Sequence, residues 1–366
     1  MSQTFILVGA GIIGLSAARA LAKKGHRVRL VDQGPIPNPL AASHDQHRLI
    51  RYPYGAMTGY AAMTAEAYPA WDRLWTDLGR SHYVETGTLV LSRTHDGWAD
   101  ASAGVLDALR IPYERLTSEA VAERFSLIND AGVSRSFYQP QGGVLKASAI
   151  LADLARYLES AGVELMPHTR IARIDREPTR VYTEDGRILT GDAVVLAAGA
   201  WSRRLIDVPV TASRQVVVYA APPPEARAAW AASPMLLEID PDSGFYLVPP
   251  VDGLGLKIGD HRFSLAGDPD APRAAEAREI EAVCAAARER IRAFDRFDIE
   301  RGHVCFYAVA PEERFIVRRE GGVWVLAGFS GHGFKFGPLV GEQLAEAVEA
   351  NLADAALARW AAGWMG

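Results

Sequence analysis

Cysteine is scarce in this chain of 366 residues: there are two, Cys284 and Cys305, which cannot make a disulfide framework. No apolar run is long enough to span a bilayer, and no internal repeat or low-complexity tract stands out. Neither sign of charge dominates. The 39 Lys and Arg against 44 Asp and Glu leave a net charge of -5, which gives no reason to expect nucleic acid or an anionic membrane as partner. A cleavable signal is not expected either, because removing the short opening apolar stretch would remove the first strand. What is present, 49% hydrophobic and 23% charged residues, is the composition of a soluble globular protein, read as cytoplasmic and long enough for two domains.

Residues 4 to 32 (TFILVGAGIIGLSAARALAKKGHRVRLVD) read as strand, turn, helix, strand, the opening of a parallel α/β sheet. A polar, Pro-containing loop follows from Gln33 to Tyr54, then a helix from about Tyr60 to Leu78. YVETGTLVLSRT reads as strands and ASAILADLARYLESAG as a helix. The run from Val163 to Ser202 alternates like a series of strands and ends in the buried-looking VVLAAGAWS. Residues 214 to 261 are mostly strand, 271 to 295 one long helix, and VWVLAGFSGHGFKFGPLVGEQLAEAVEANL a strand, a Gly-rich turn and a helix. Nucleotide-type segments therefore stand at the start, middle and end, with β-rich stretches between. The expected fold is α/β: a discontinuous Rossmann-like domain carrying an inserted domain on a mainly antiparallel sheet.

Gly9, Gly11 and Gly14, with Ile12 and Ile13 between the last two, form a G-x-G-x-x-G loop. The first glycine allows the tight turn, the second lets backbone approach a pyrophosphate, and the third lets helix and strand pack closely. Asp32 stands 18 residues after Gly14 at the end of the second strand, where a carboxylate can bind both ribose hydroxyls of an adenosine. The same carboxylate would repel the 2′-phosphate of NADP. NAD and FAD remain, and the small residues Ala197 to Ala200, together with the segments below, favour a flavin.

SHDQHRLIRYPYG gathers His44, His47, Arg48 and Arg51 beside Tyr52 and Tyr54. With GLKIGDH (255–261), HVCFYAVAPEERFIV and an unbroken GFSGHGFK (328–335), it resembles the monomeric sarcosine oxidase family of FAD-dependent amine oxidases, which includes N-methyltryptophan oxidase. The resemblance covers essentially the whole chain. It implies that Arg51 holds a substrate carboxylate with Lys335 as second cation, and that Arg48 and His44 lie near the flavin. It also implies that Lys257 lies over the flavin and assists O2, a role that suits a fixed ammonium. Tyr246, His261 and Tyr307 would line the substrate side, and Cys305 would carry FAD through a thioether. Ser43, Ala198, Gly199, Trp201, Gly331, Gly333 and Phe334 complete the expected cofactor contacts; His332 is read as structural and Cys284 as packing. Asp45 and His47 depart from the family pattern, where Gly and Thr stand.

The FAD-binding domain is then expected over residues 1–84, 143–212 and 303–366, and the substrate domain over 85–142 and 213–302. The expected activity is oxidation of a small secondary or N-methyl amino acid to an imine that hydrolyses, with O2 reduced to H2O2, by a monomer using no metal. Three alternatives stay open: a pipecolate, proline or glycated amino acid substrate; a dehydrogenase passing electrons to another acceptor; and a ligand-binding flavoprotein without turnover.

Overall fold

Thr4–Val8 (TFILV) shows no polar alternation, and it becomes an interior strand covered on both faces. Phe5 and Leu7 enter a core shared with the helices Ile12–Lys23, Ala147–Ser160 and Gly337–Ala350. Ile6 and Val8 enter another, shared with a small antiparallel sheet of strands Ile171–Arg176, Thr179–Thr183 and Ile188–Thr190. The computed structural model describes residues 1–95, 97–240, 244–350 and 354–364. The strand belongs to a six-stranded sheet in the order Ile316–Glu320, Val323–Ala327, Ala193–Leu196, Thr4–Val8, Arg27–Val31, Glu164–Met166. It is parallel except for its first pair. One nucleotide-type sheet is thus assembled from the start, middle and end of the chain.

The second large sheet has eight strands in the order Asp298–Val309, Thr211–Ala221, Leu256–Asp260, Gly244–Val248, Met235–Ile239, Thr88–Ser92, Arg135–Gln139, Glu114–Arg115. All its pairs are antiparallel except Met235–Ile239 with Thr88–Ser92. The fold is therefore the expected α/β architecture, a discontinuous Rossmann-like sheet with an inserted, mainly antiparallel one. A three-stranded patch, Arg48–Ile50, Gly143–Leu145 and Tyr83–Glu85, accompanies the two sheets.

Three local features differ from the sequence reading. The helix expected from residue 271 begins at Ala277, because Glu276 and Glu279 form a reciprocal capping box there, and it ends at Arg290. The loop expected from Gln33 to Tyr54 contains the strand Arg48–Ile50, too short to show a period. The helix Trp98–Leu109 goes unread because its buried stripe, Ala99, Ser102, Ala103 and Leu106, is made mostly of small residues. Residues 241–243 of the strand-rich run and Asn351 and Leu352 of the last helical run lie outside the described residues.

Candidate active site

At the carboxyl ends of Thr4–Val8, Arg27–Val31 and Ala193–Leu196 lies a cavity of about 290 Å³. The glycine loop forms one wall. Gly9 has φ +105°, and a Cβ there would stand 2.5 Å from the Ala197 carbonyl oxygen; a Cβ on Gly14 would fall on the carbonyl oxygen of Gly9. Ile12 opens the helix, and its N–H donates to Ser43 Oγ at 3.0 Å. Asp32 accepts from the Ala10 N–H at 2.8 Å, the Gly34 N–H at 2.9 Å and Asn38 Nδ2 at 2.7 Å. Burial raises its pKa, and these three donors act against that rise.

Of the residues singled out in the sequence, Gly9, Gly11, Ile12, Ile13, Asp32, Ser43 and Arg48 line this cavity from the amino-terminal third. Ala198, Gly199, Trp201, Tyr307, Gly331, Gly333 and Phe334 line it from the rest of the chain. Gly14, His44, Cys305, Lys335, Arg51, Lys257, His261 and Tyr246 do not stand in its wall. Gly14 is instead the contact point of helix and loop, and His44 is half-buried, with burial lowering its pKa. A bare-backbone cradle, helix-opening amides and a carboxylate at the end of the second strand fit a dinucleotide.

Beside Arg48 lies a buried charged cluster. Lys257 Nζ reaches Asp45 Oδ2 at 2.5 Å, both side chains being 3% exposed. Asp45 also accepts from Arg48 Nη1 and the Tyr219 hydroxyl, and the Gln46 N–H donates to it at 2.8 Å. Lys257 therefore does not stand alone, since the segment before Arg48 brings a carboxylate onto the strand Leu256–Asp260. Burial favours protonated Asp45, but Lys257 and Arg48 outweigh it and hold the carboxyl well below its usual range. Burial takes Lys257 down to about 8, against the raising effect of Asp45. Cys305 lies in the strand Asp298–Val309 opposite Gln215; burial pushes its thiol up, and Arg48 acts the other way.

The other cations stand apart from that carboxylate. Arg51 Nε and Nη1 are buried with no hydrogen-bond partner, and its guanidinium lies 4.7 Å from the Tyr54 ring centre and 5.4 Å from that of Trp98. Lys335 Nζ donates to Tyr54 Oη at 2.8 Å and to the His332 carbonyl at 3.2 Å. Among the described residues neither has a carboxylate within salt-bridge distance. Burial first and Arg51 second push Lys335 well below its usual pKa. The Trp71 indole N–H fixes the Lys335 backbone from below at 2.7 Å. Tyr54 Oη lies 3.3 Å from His332 Nδ1, and His332 Nε2 lies 3.0 Å from the Glu313 carbonyl. Burial holds His332 neutral, so it can relay this network by accepting at one nitrogen and donating at the other. His261 Nε2 is 3.2 Å from the Asp240 carbonyl, and the Tyr246 ring centre lies 6.0 Å from Lys257 Nζ.

Sequence reasoning did not assign roles to Asn38, Tyr54, Trp98 or Tyr219. Tyr54 stands in the marked basic loop without a role attached to it, and Trp98 follows a glycine with nothing else in the sequence to mark it. Asn38 and Tyr219 act only through three-dimensional contacts with Asp32 and Asp45.

A cavity of dinucleotide-binding type on the mainly parallel sheet, with a second, mainly antiparallel sheet inserted in the chain, is the architecture of an α/β dinucleotide-binding protein. The assignment narrows with the family model for DAO, FAD dependent oxidoreductase, which matches residues 4–347: the chain belongs to that family and is an FAD-dependent oxidoreductase. It is 29% identical to monomeric sarcosine oxidase of Bacillus sp. (strain B-0618) over 363 residues, covering 93% of this chain and 90% of the relative. To N-methyl-L-tryptophan oxidase of Yersinia pestis (strain Pestoides F) it is 25% identical, covering 93% and 94%. The fold also matches the crystal structure of L-proline dehydrogenase from P. horikoshii, with a TM-score of 0.85 at 20% identity and coverage of 99% and 97%.

Proposed function

We propose that the protein is an amine oxidase of a small secondary or N-methyl amino acid, converting its C–N bond to an imine that hydrolyses and reducing O2 to H2O2. The observation that carries this reading is the buried pair of basic side chains Arg51 and Lys335, which among the described residues have no carboxylate within salt-bridge distance, Arg51 having two unpartnered nitrogens. A buried charge without a partner is costly, and a carboxylate ligand removes that cost. The relatives' named substrates, sarcosine and N-methyl-L-tryptophan, support the same class.

The FAD supplies the two-electron acceptor when bound. Arg51 and Lys335 bind and orient the carboxylate, which fixes where the amine and its adjacent carbon stand. Tyr52, stacked on Tyr68 with ring centres 5.4 Å apart, and Trp98, beside the Arg51 guanidinium, form an apolar cluster next to this pair. A strong base is not required if the substrate reacts as the free amine. We also propose that Lys257 offers positive charge to O2 as it takes up electrons, that Tyr246, Tyr307 and His261 bound the substrate side, and that Cys305 carries the flavin covalently. The working form is proposed as a cytoplasmic monomer.

A second reading has one observation in its favour: Asp45 offsets the charge of Lys257, which suits a dehydrogenase using an acceptor other than O2. One experiment separates the two. Purified protein is mixed without air with sarcosine, longer N-methyl amino acids, proline, pipecolate, glycated and primary amino acids, and air is then readmitted. Bleaching by a secondary amino acid with fast recolouring and H2O2 supports the oxidase; slow recolouring supports the dehydrogenase; no bleaching by any of them sinks the substrate class. Yellow colour staying wholly in the supernatant after acid precipitation would rule out the Cys305 linkage.

A further inference from the structure

The carboxylate of Asp45 is saturated by Lys257, Arg48, Tyr219 and the Gln46 N–H, with Asp45, Lys257 and Tyr219 themselves buried. Among the described residues it is the only carboxylate ion-paired with either Lys257 or Arg48. Of the three charged side chains, Arg48 reaches the wall of the dinucleotide cavity. Lys257 is also tied to that segment through the His47 carbonyl at 3.3 Å.

We propose that Asp45 is a positioning residue that holds Lys257 and Arg48 as a partly compensated pair beside the cavity, keeping Lys257 protonated there so that one net positive charge faces the bound flavin. The inference deepens the oxygen-side role proposed for Lys257 and rests on it. Two cations packed together without an anion repel, and the lysine, which can lose its proton, is the one that yields; the guanidinium cannot. Asp45 opposes that loss by lying against both.

The groups facing Lys257 are few. Asp45, His47 and Arg48 come from the segment before and within Arg48–Ile50, Tyr219 from Thr211–Ala221, Tyr246 from Gly244–Val248, and His303 and Cys305 from Asp298–Val309. Burial lowers both histidines, His47 to about 4, and raises Cys305 and both tyrosines. Lys257 is thus the group of this cluster that titrates near neutrality on the alkaline side, at about 8.

The test is the midpoint potential of the bound flavin, measured with a chemical reductant and indicator dyes between roughly pH 6 and pH 10. Wild type, Asp45→Asn, Lys257→Gln and the double variant are compared as holoproteins. Wild type is expected to show a break near pH 8 that Lys257→Gln abolishes. Asp45→Asn moves that break down by about one pH unit or more, and the double variant matches Lys257→Gln. Asp45→Glu, which restores the carboxylate, returns the break towards its wild-type position. A break that stays put in Asp45→Asn, or one that survives Lys257→Gln, overturns the proposal. Lys257→Gln alone decides the second point should Asp45→Asn fail to accumulate. Chemical reduction needs no amino acid, so a wrong substrate class leaves this outcome untouched.

Discussion

Arg51 shows how much a single side chain can state about a ligand. Its two unpartnered nitrogens lie beside the rings of Tyr54 and Trp98, with no carboxylate at salt-bridge distance among the described residues, which is what the proposed carboxylate anchor requires. A lysine there keeps the charge but loses the planar fork and the stacking. Arg51→Lys is expected to weaken binding of a carboxylate substrate or inhibitor on the order of ten- to a hundredfold while the flavin stays bound, read by titrating the flavin absorbance. Asp45 is the contrasting case. The sequence marked it only as a departure from pattern, and its meaning comes from Lys257, more than two hundred positions away, which no local reading brings to it.

Helix packing supplies a sharper test at the scale of elements. Gly337–Ala350 lies against Ile12–Lys23 closely enough that a Cβ on Gly341 would stand 2.5 Å from the Ser16 carbonyl oxygen. Gly341→Ala is expected to destabilise by about 1–3 kcal/mol. Gly104, exposed in Trp98–Leu109 with nothing near the added atom, should give the opposite sign: Gly104→Ala stabilises by about 0.5–1 kcal/mol. Thermal melts of the two variants decide both. Elements with a strong period or a continuous apolar run were legible in the sequence: Thr4–Val8, Ile12–Lys23, Thr58–Leu78 and Ala147–Ser160 all stand within about two residues of where the pattern puts them. Arg48–Ile50 and Trp98–Leu109 were not. The first is held by Gly143–Leu145, a partner distant in the chain, and the second buries a stripe made mostly of small residues, Ala99, Ser102 and Ala103 with Leu106. The glycine loop was readable because its chemistry is local, whereas the Tyr54–Lys335 and Asp45–Tyr219 contacts join segments that only the fold brings together.

Charge pairing sets how the whole molecule responds to acid. Lys257 and Arg48 outweigh burial at Asp45, Arg80 leads the partners that lower Asp153, and Arg214 holds Glu279 at about 2. Each carboxyl is more acidic folded than unfolded, so the unfolded chain takes up protons first as pH falls. The stability they contribute is complete above about pH 5 and is lost progressively below it, as the solution passes the unfolded values and approaches the folded ones. Melting temperatures measured at descending pH should fall through that range; a flat profile would show that these pairs contribute little to holding the fold. The order of strands in the six-stranded sheet bears on how the protein is made. Thr4–Val8 and Arg27–Val31 are synthesised well before Ala193–Leu196, and Val323–Ala327 and the helix Gly337–Ala350 later still. The glycine loop is therefore made long before the segment Phe329–Phe334 that lines the same cavity, so a nucleotide held there would be captured only after the later segment has joined the sheet.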